Sequence, residues 1–148
     1  MSQLEDRPRP RRPLPVPTAL TEPFWDAARQ GRLALQCCTN CDRFRHPPVP
    51  LCPYCHSSAF EYREVSGAGT VYEYSVMRQP RVAGLEVLVP FACLVVEIDE
   101  QPGLLVVGNL VDAPADQARV GMRVQVRFED IGEDGLRLPQ FAPHDEKG

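Results

Sequence analysis

The sequence predicts a mainly β fold in two parts, a small metal-stapled unit followed by a five-stranded barrel, and three observations carry that prediction. Five of the six cysteines fall within "LQCCTNCDRFRHPPVPLCPYCHSS", four of them as two C-x-x-C pairs. From residue 67 onward the chain breaks into short runs rich in Val, Tyr, Phe and Leu, separated by glycine, proline or charge. One stretch alone, "TEPFWDAARQGRL", has the start and stop signals of a helix of more than one turn.

Residues 1–17 hold five prolines and four arginines without an apolar period, so they cannot bury enough surface to offset their ordering entropy. A disordered arm is expected there. In the helix that follows, Thr21 suits the cap, Glu22 the positive end, Pro23 the first turn and Gly31 the left-handed exit. Phe24, Ala27 and Ala28 share a face that should dock on the neighbouring cysteine-bearing unit.

The barrel strands are expected at "GTVYEYSVM", "FACLVVEID", "GLLVVGNLV", "MRVQVRFED" and "GLRLPQF". In the fourth, Met122, Val124, Val126 and Phe128 alternate with Arg123, Gln125 and Arg127, the pattern of a half-buried strand. The second and third runs are apolar at nearly every position, as for strands covered on both sides or wrapped in a small barrel. "APADQARVG" leaves room for one helical turn after the third strand. Five strands with that interruption match the partly open Greek-key barrel of the OB-fold, with a small sandwich as the competing arrangement. The organisation read from the sequence is an arm at 1–17, helix plus cysteine unit at 18–65, barrel at 66–143 and a tail at 144–148.

Cys38-x-x-Cys41 and Cys52-x-x-Cys55 permit four thiolates to converge on one Zn²⁺ at about 2.3 Å each, as in a rubredoxin-like zinc ribbon. Cys37, directly before the first pair, is read as a spare thiol, and Cys93 as a small buried hydrophobe. His46 and His56 are expected at the surface. A closed set of four cysteines leaves no open coordination position, so the zinc is expected to be structural and catalytic residues are expected to be none. Nor does the sequence offer a nucleophile elbow, a phosphate-binding glycine loop or a recognisable histidine–acid pair.

Composition sets outer bounds. Of 148 residues, 43% are hydrophobic and 24% charged, ordinary values for a globular domain, and no apolar run is long enough to span a bilayer. The N-terminal basic residues are followed by no apolar segment, so no secretory signal is read and a cytoplasmic, reducing compartment is expected. The formal charge of -4 leans against a protein that clamps a phosphate backbone over its whole surface.

The order of "PFWDAARQGRL", the two-knuckle ribbon, "SGAGTVYEYSV", "VPFACLVVEID" and "VGMRVQVRF" resembles the zinc-ribbon plus OB-fold proteins called domain of unknown function 35, over about Pro23 to Pro143. Asp42 and His56 depart from the pattern by standing where a glycine is expected after each knuckle. The resemblance implies a non-catalytic accessory subunit of a thiolase-like or lipid-transfer-protein-like enzyme, in a hetero-oligomer, that helps accommodate an acyl-CoA in lipid, sterol or aromatic-acid metabolism. The cations available for such a ligand are Arg78 and Arg81 in "RQPRVAGLEVLVP" and Arg123 and Arg127 on the fourth strand. The rival reading is a nucleic-acid-binding module with Tyr72 and Tyr74 as stacking platforms. Beyond residue 17, twelve basic residues against eighteen acidic ones weaken it.

Overall fold

The computed structural model describes residues 12–79, 82–132 and 134–144. Among the described residues a helix, α1 (Glu22–Arg29), leads into a three-stranded sheet of β1 (Leu33–Cys38), β2 (Phe44–Arg45) and β3 (Phe60–Val65), in the order β2-β1-β3. The second sheet holds β4 (Ala68–Met77), β5 (Phe91–Ile98), β6 (Leu105–Asn109), β7 (Arg123–Asp130) and β8 (Arg137–Pro143), in the order β6-β5-β4-β7-β8. Its ends meet through a parallel bridge between Leu110 and Phe141, which closes the sheet into a barrel and excludes the sandwich. A single 3₁₀ turn, Ala115–Gln117, interrupts the chain after β6. No helix among the described residues is long and apolar enough to cross a membrane.

The two units share one core. Phe24, Leu33, Leu35 and Val65 from the helix and ribbon join Val71, Leu94, Val96, Val106, Val124 and Phe141 from the barrel in a continuous cluster. Met122, Val126 and Phe128 pack against it, as the alternation in β7 requires. Between the units, Gly67 has φ +79° and an added Cβ would overlap the Val126 side chain, while a Cβ at Gly69 would lie 2.5 Å from the Glu97 carbonyl oxygen. Only glycines permit this close crossing of β4 over β5 and β7.

Four expectations need correcting. First, Cys93 is not a buried hydrophobe: in this wrapped barrel the buried Ala92, Leu94, Val96 and Ile98 of β5 alternate with half-buried Phe91, Cys93, Val95 and Glu97, and Val107 on β6 is 58% exposed. The outward face of this small barrel simply has no second layer, and Cys93 lies on it. Second, α1 docks on the barrel as well as the ribbon, because its buried face of Phe24, Ala27 and Ala28 contacts both β1 and β8.

Third, the end of the leader is not a free arm. Residues 12–17 form no helix or strand, yet Arg12 Nη2 donates to Glu129 Oε1 at 3.0 Å, with both side chains largely buried. Glu129 also accepts from Gln140 Nε2 at 2.9 Å, and a carboxylate taken out of water needs such partners. Residues 1–11 and the tail from 145 lie outside the described residues. Fourth, His46 is half-buried rather than at the surface: its ring stacks on Phe24 with centroids 5.5 Å apart, and burial lowers its pKa. His56 is exposed.

Candidate metal centre

Each C-x-x-C pair ends a strand or a return and is folded by its own backbone. The Asp42 amide donates to the Cys38 carbonyl and the His56 amide to the Cys52 carbonyl, each at 2.9 Å, closing two equivalent turns. Both closing residues have left-handed backbone, φ 61° at Asp42 and 64° at His56. These are the positions at which the sequence departs from glycine, and the chain keeps the glycine conformation without the glycine.

The turns bring the four sulfurs together. The Sγ atoms of Cys38, Cys41, Cys52 and Cys55 all lie within 4.8 Å of one another, with Cys38–Cys55 and Cys41–Cys52 at 3.6 Å. A tetrahedron with metal–sulfur bonds of about 2.3 Å has edges of about 3.8 Å, so the donor set and its size fit zinc. No cysteine is in a disulfide. Cys37 is buried outside the cluster, and burial pushes its thiol up, so the doubled cysteine does not compete for the ion.

Hydrogen-bond donors aim at the sulfurs. The amides of Asn40 and Cys41 point to Cys38 Sγ at 3.4 and 3.5 Å, and Asn40 Nδ2 reaches Cys55 Sγ at 3.4 Å. The Cys41 amide, followed by that of Asn40, holds the Cys38 thiol below its usual range; the Asn40 side chain, then the Ser57 amide, does so for Cys55. At Cys52 burial opposes the shift, but the amides of Cys55 and Tyr54 carry it downward. Cys41 goes the other way. The Arg43 amide favours its thiolate, yet burial and its contacts with the other thiols, Cys52 first, push it up to about 12. Four thiolates so close repel, and a divalent cation supplies the missing counter-charge.

The return between the knuckles is held by a buried side chain on β1. Gln36 Nε2 donates to the Val49 carbonyl and Gln36 Oε1 accepts from the Val49 amide, both at 2.9 Å. Arg45, 5% exposed, adds Nε and Nη2 to the same carbonyl at 3.3 and 3.1 Å. This clasp positions the strandless segment that delivers Cys52 and Cys55. Sequence reasoning passed over Gln36 and Asn40; the signal for Gln36 was a lone glutamine inside the otherwise apolar run "LALQCC".

Among the described residues, the arginines considered as ligand cations do not gather at one place. Arg78 is exposed just beyond the end of β4, and Arg81 lies outside the described residues. Arg123 is committed to Asp99, Nη1 and Nη2 each 2.7 Å from a carboxylate oxygen, and to Thr70 Oγ1 at 3.0 Å. Thr70 and Arg78 are eight residues apart along an extended strand, about 26 Å. Arg127 is exposed and donates from Nη1 to the Val126 carbonyl at 3.0 Å.

Comparison with known proteins agrees with this architecture. Residues 25–61 match the family described as "ChsH2, rubredoxin-like zinc ribbon domain", and residues 62–129 that described as "ChsH2, C-terminal OB-fold domain". A "Probable enoyl-CoA hydratase alpha subunit" of Thermomonospora curvata is 36% identical over 95% of this chain and 43% of its own length. A "3-oxo-4,17-pregnadiene-20-carboxyl-CoA hydratase alpha subunit" of Mycobacterium tuberculosis is 34% identical over 76% of this chain and 35% of its own length. The chain thus spans less than half the length of these two relatives. A "DUF35 domain-containing scaffold protein" of Methanocaldococcus jannaschii is 34% identical, over 66% of this chain and 68% of the relative. Among solved structures, a chain of an "Ltp2-ChsH2(DUF35) aldolase" superposes with TM-score 0.78 at 35% identity, covering 88% of this chain and 98% of that one. A DUF35 protein of unknown function from Sulfolobus solfataricus, at 15% identity and TM-score 0.59, shares the fold. The ribbon with its four converging thiols, the closed five-stranded barrel and these matches place the chain in the ChsH2-type zinc-ribbon and OB-fold family, DUF35.

Proposed function

We propose that the chain is a non-catalytic accessory subunit that docks on a lipid-transfer-protein-like or thiolase-like enzyme and helps accommodate that enzyme's acyl-CoA substrate. The observation that carries this reading is the similarity, over 98% of its length, to the chain from the Ltp2-ChsH2(DUF35) aldolase. The metal centre is compatible with it. Four thiolates that complete a tetrahedron give zinc a structural task, which is to fix two turns and the surface they carry.

That surface is apolar and exposed. Val49, Leu51, Tyr54 and Phe60 sit on and around the second knuckle and the strand after it, between 36% and 55% exposed. Arg43 lies over the Tyr54 ring, 4.6 Å from its centroid, and Arg45 lies 5.6 Å from the Phe60 centroid. Aromatic and aliphatic anchors beside arginines are the residue types that carry binding energy at protein interfaces. In this reading the ribbon holds the enzyme, and the barrel covers its acyl-CoA entrance, acting by positioning and by excluding water.

The test is co-expression with a lipid-transfer-protein-like aldolase from the same source, followed by size-exclusion chromatography and assay of the partner. The expected result is a stable complex with raised aldolase turnover, lost when Leu51 and Tyr54 are changed to Glu while zinc content is unchanged. Absence of a complex with aldolase and thiolase partners alike overturns the proposal. Binding of single-stranded RNA or DNA to the isolated chain at the exposed Tyr72 and Tyr74 instead favours the nucleic-acid reading.

A further inference from the structure

A groove of about 510 Å³ lies on the seam between ribbon and barrel, where the exit of α1, the end of β3 and the strands β7 and β8 meet. Arg32, Arg127 and Arg137 line it, and among the described residues Glu64 is the only carboxylate that does. With Arg137 paired to Asp130 and Arg32 near Glu64, Arg127 gives this concave surface a surplus positive charge on a chain whose formal charge is -4.

The three cations are unequally engaged. Arg137 Nε is held by Asp130 at 2.9 Å, which fixes the guanidinium beside Gly31. Arg32 donates from Nε and Nη2 to Gln30 Oε1 at 3.3 and 2.8 Å, and reaches Glu64 only at 3.8 Å. Arg127 makes one hydrogen bond, to the carbonyl of Val126 on its own strand, and no ion pair among the described residues. Gln125 supports the floor by donating to the Ser66 carbonyl at 2.9 Å. Gly31, with φ +74°, leaves the rim free of a side chain, so a ligand can approach Arg137 there.

We infer that this groove binds a phosphate-type oxyanion, recognised by the guanidinium forks of Arg127 and Arg137 with Arg32 at the rim. Planar forks with free N–H pairs match phosphate oxygens in geometry and charge. The inference stands apart from the accessory role, because it concerns a ligand held by this chain alone. The phosphate can belong to free phosphate or pyrophosphate, or to a phosphorylated cofactor such as the CoA of the proposed function.

The experiment is a titration of the isolated, zinc-loaded full chain with pyrophosphate, inorganic phosphate, CoA and dephospho-CoA. Amide shifts and calorimetry report binding. Saturable shifts at Gly31, Ser66, Gly67 and Arg127 are expected, with affinity falling about tenfold in Arg127→Gln and falling again with added salt. Arg119→Gln, at a residue outside the groove, should bind as the wild type does. Tighter binding of CoA than of dephospho-CoA identifies the ribose phosphate as the bound group; equal affinities identify the pyrophosphate; both support the site. No saturable shift with any of the four, shifts elsewhere only, or unchanged affinity in Arg127→Gln overturns it. A null result here leaves the co-expression test of the accessory role unaffected.

Discussion

Gln101, in the turn between β5 and β6 of the barrel, holds the backbone of Phe44 in the ribbon by both ends of its amide: Oε1 accepts from the Phe44 amide at 2.8 Å and Nε2 donates to the Phe44 carbonyl at 2.9 Å. One side chain thereby pairs with an edge strand as a neighbouring strand would, and ties the two units together across their seam. Gln101→Leu removes both bonds and leaves two partly buried backbone groups without them. Thermal unfolding should show a loss of about 1–3 kcal/mol, with zinc content unchanged, since the knuckles are not touched. A variant as stable as the wild type contradicts the clasp.

Gln36 performs the same two-point clasp on Val49 from inside the ribbon, and its failure should be felt at the metal. Gln36→Leu keeps the apolar bulk but strands the Val49 amide and leaves its carbonyl to Arg45 alone, which should cost about 1–3 kcal/mol. Competition with a chromophoric chelator should show weaker zinc retention, because the return carrying Cys52 and Cys55 is no longer positioned. Unaltered retention would show that the knuckles organise themselves.

These two glutamines mark where sequence reading stops. Hydrophobic alternation placed the barrel strands, because burial imposes a period that survives in one dimension. Cysteine spacing located the four thiols that converge, because a knuckle is a local turn. Turn residues and capping located α1, although Thr21 caps it through a reciprocal pairing with Thr18 rather than a side-chain bond into the helix. The clasps depend instead on partners 13 and 57 residues away, which no local period encodes. The same holds for the Arg12–Glu129 pair, 117 residues apart, and so its segment read as a free arm. Cys93 was misread as buried because a run apolar at every position does not say which residues face outward.

His46 makes stability depend on pH. Burial against Phe24 lowers its pKa, so the unfolded chain binds a proton more readily than the folded one. The contribution is fully present above the unfolded value of about 6.5 and is lost as pH falls from there toward the lowered folded value. The melting temperature should therefore drop on acidification from about pH 7 to 5.5, and His46→Phe, which retains a stacked ring, should flatten that drop. Equal slopes for both proteins exclude His46 as the cause.

Left-handed backbone at His56 carries a strain that glycine would not. His56→Gly should stabilise the zinc-bound ribbon by about 0.5–1 kcal/mol, the relief of the left-handed cost being partly offset by the flexibility glycine adds to the unfolded chain. Denaturant unfolding of the zinc-loaded protein measures it. A destabilised variant would show that the imidazole makes a contact worth more than the strain.

The most direct measurement is zinc stoichiometry together with X-ray absorption at the zinc edge. One zinc per chain, surrounded by four sulfurs at about 2.3 Å with no lighter neighbour, is the result expected of a centre that shapes a docking surface. A vacant or water-bearing corner, or a purified chain without zinc, contradicts it.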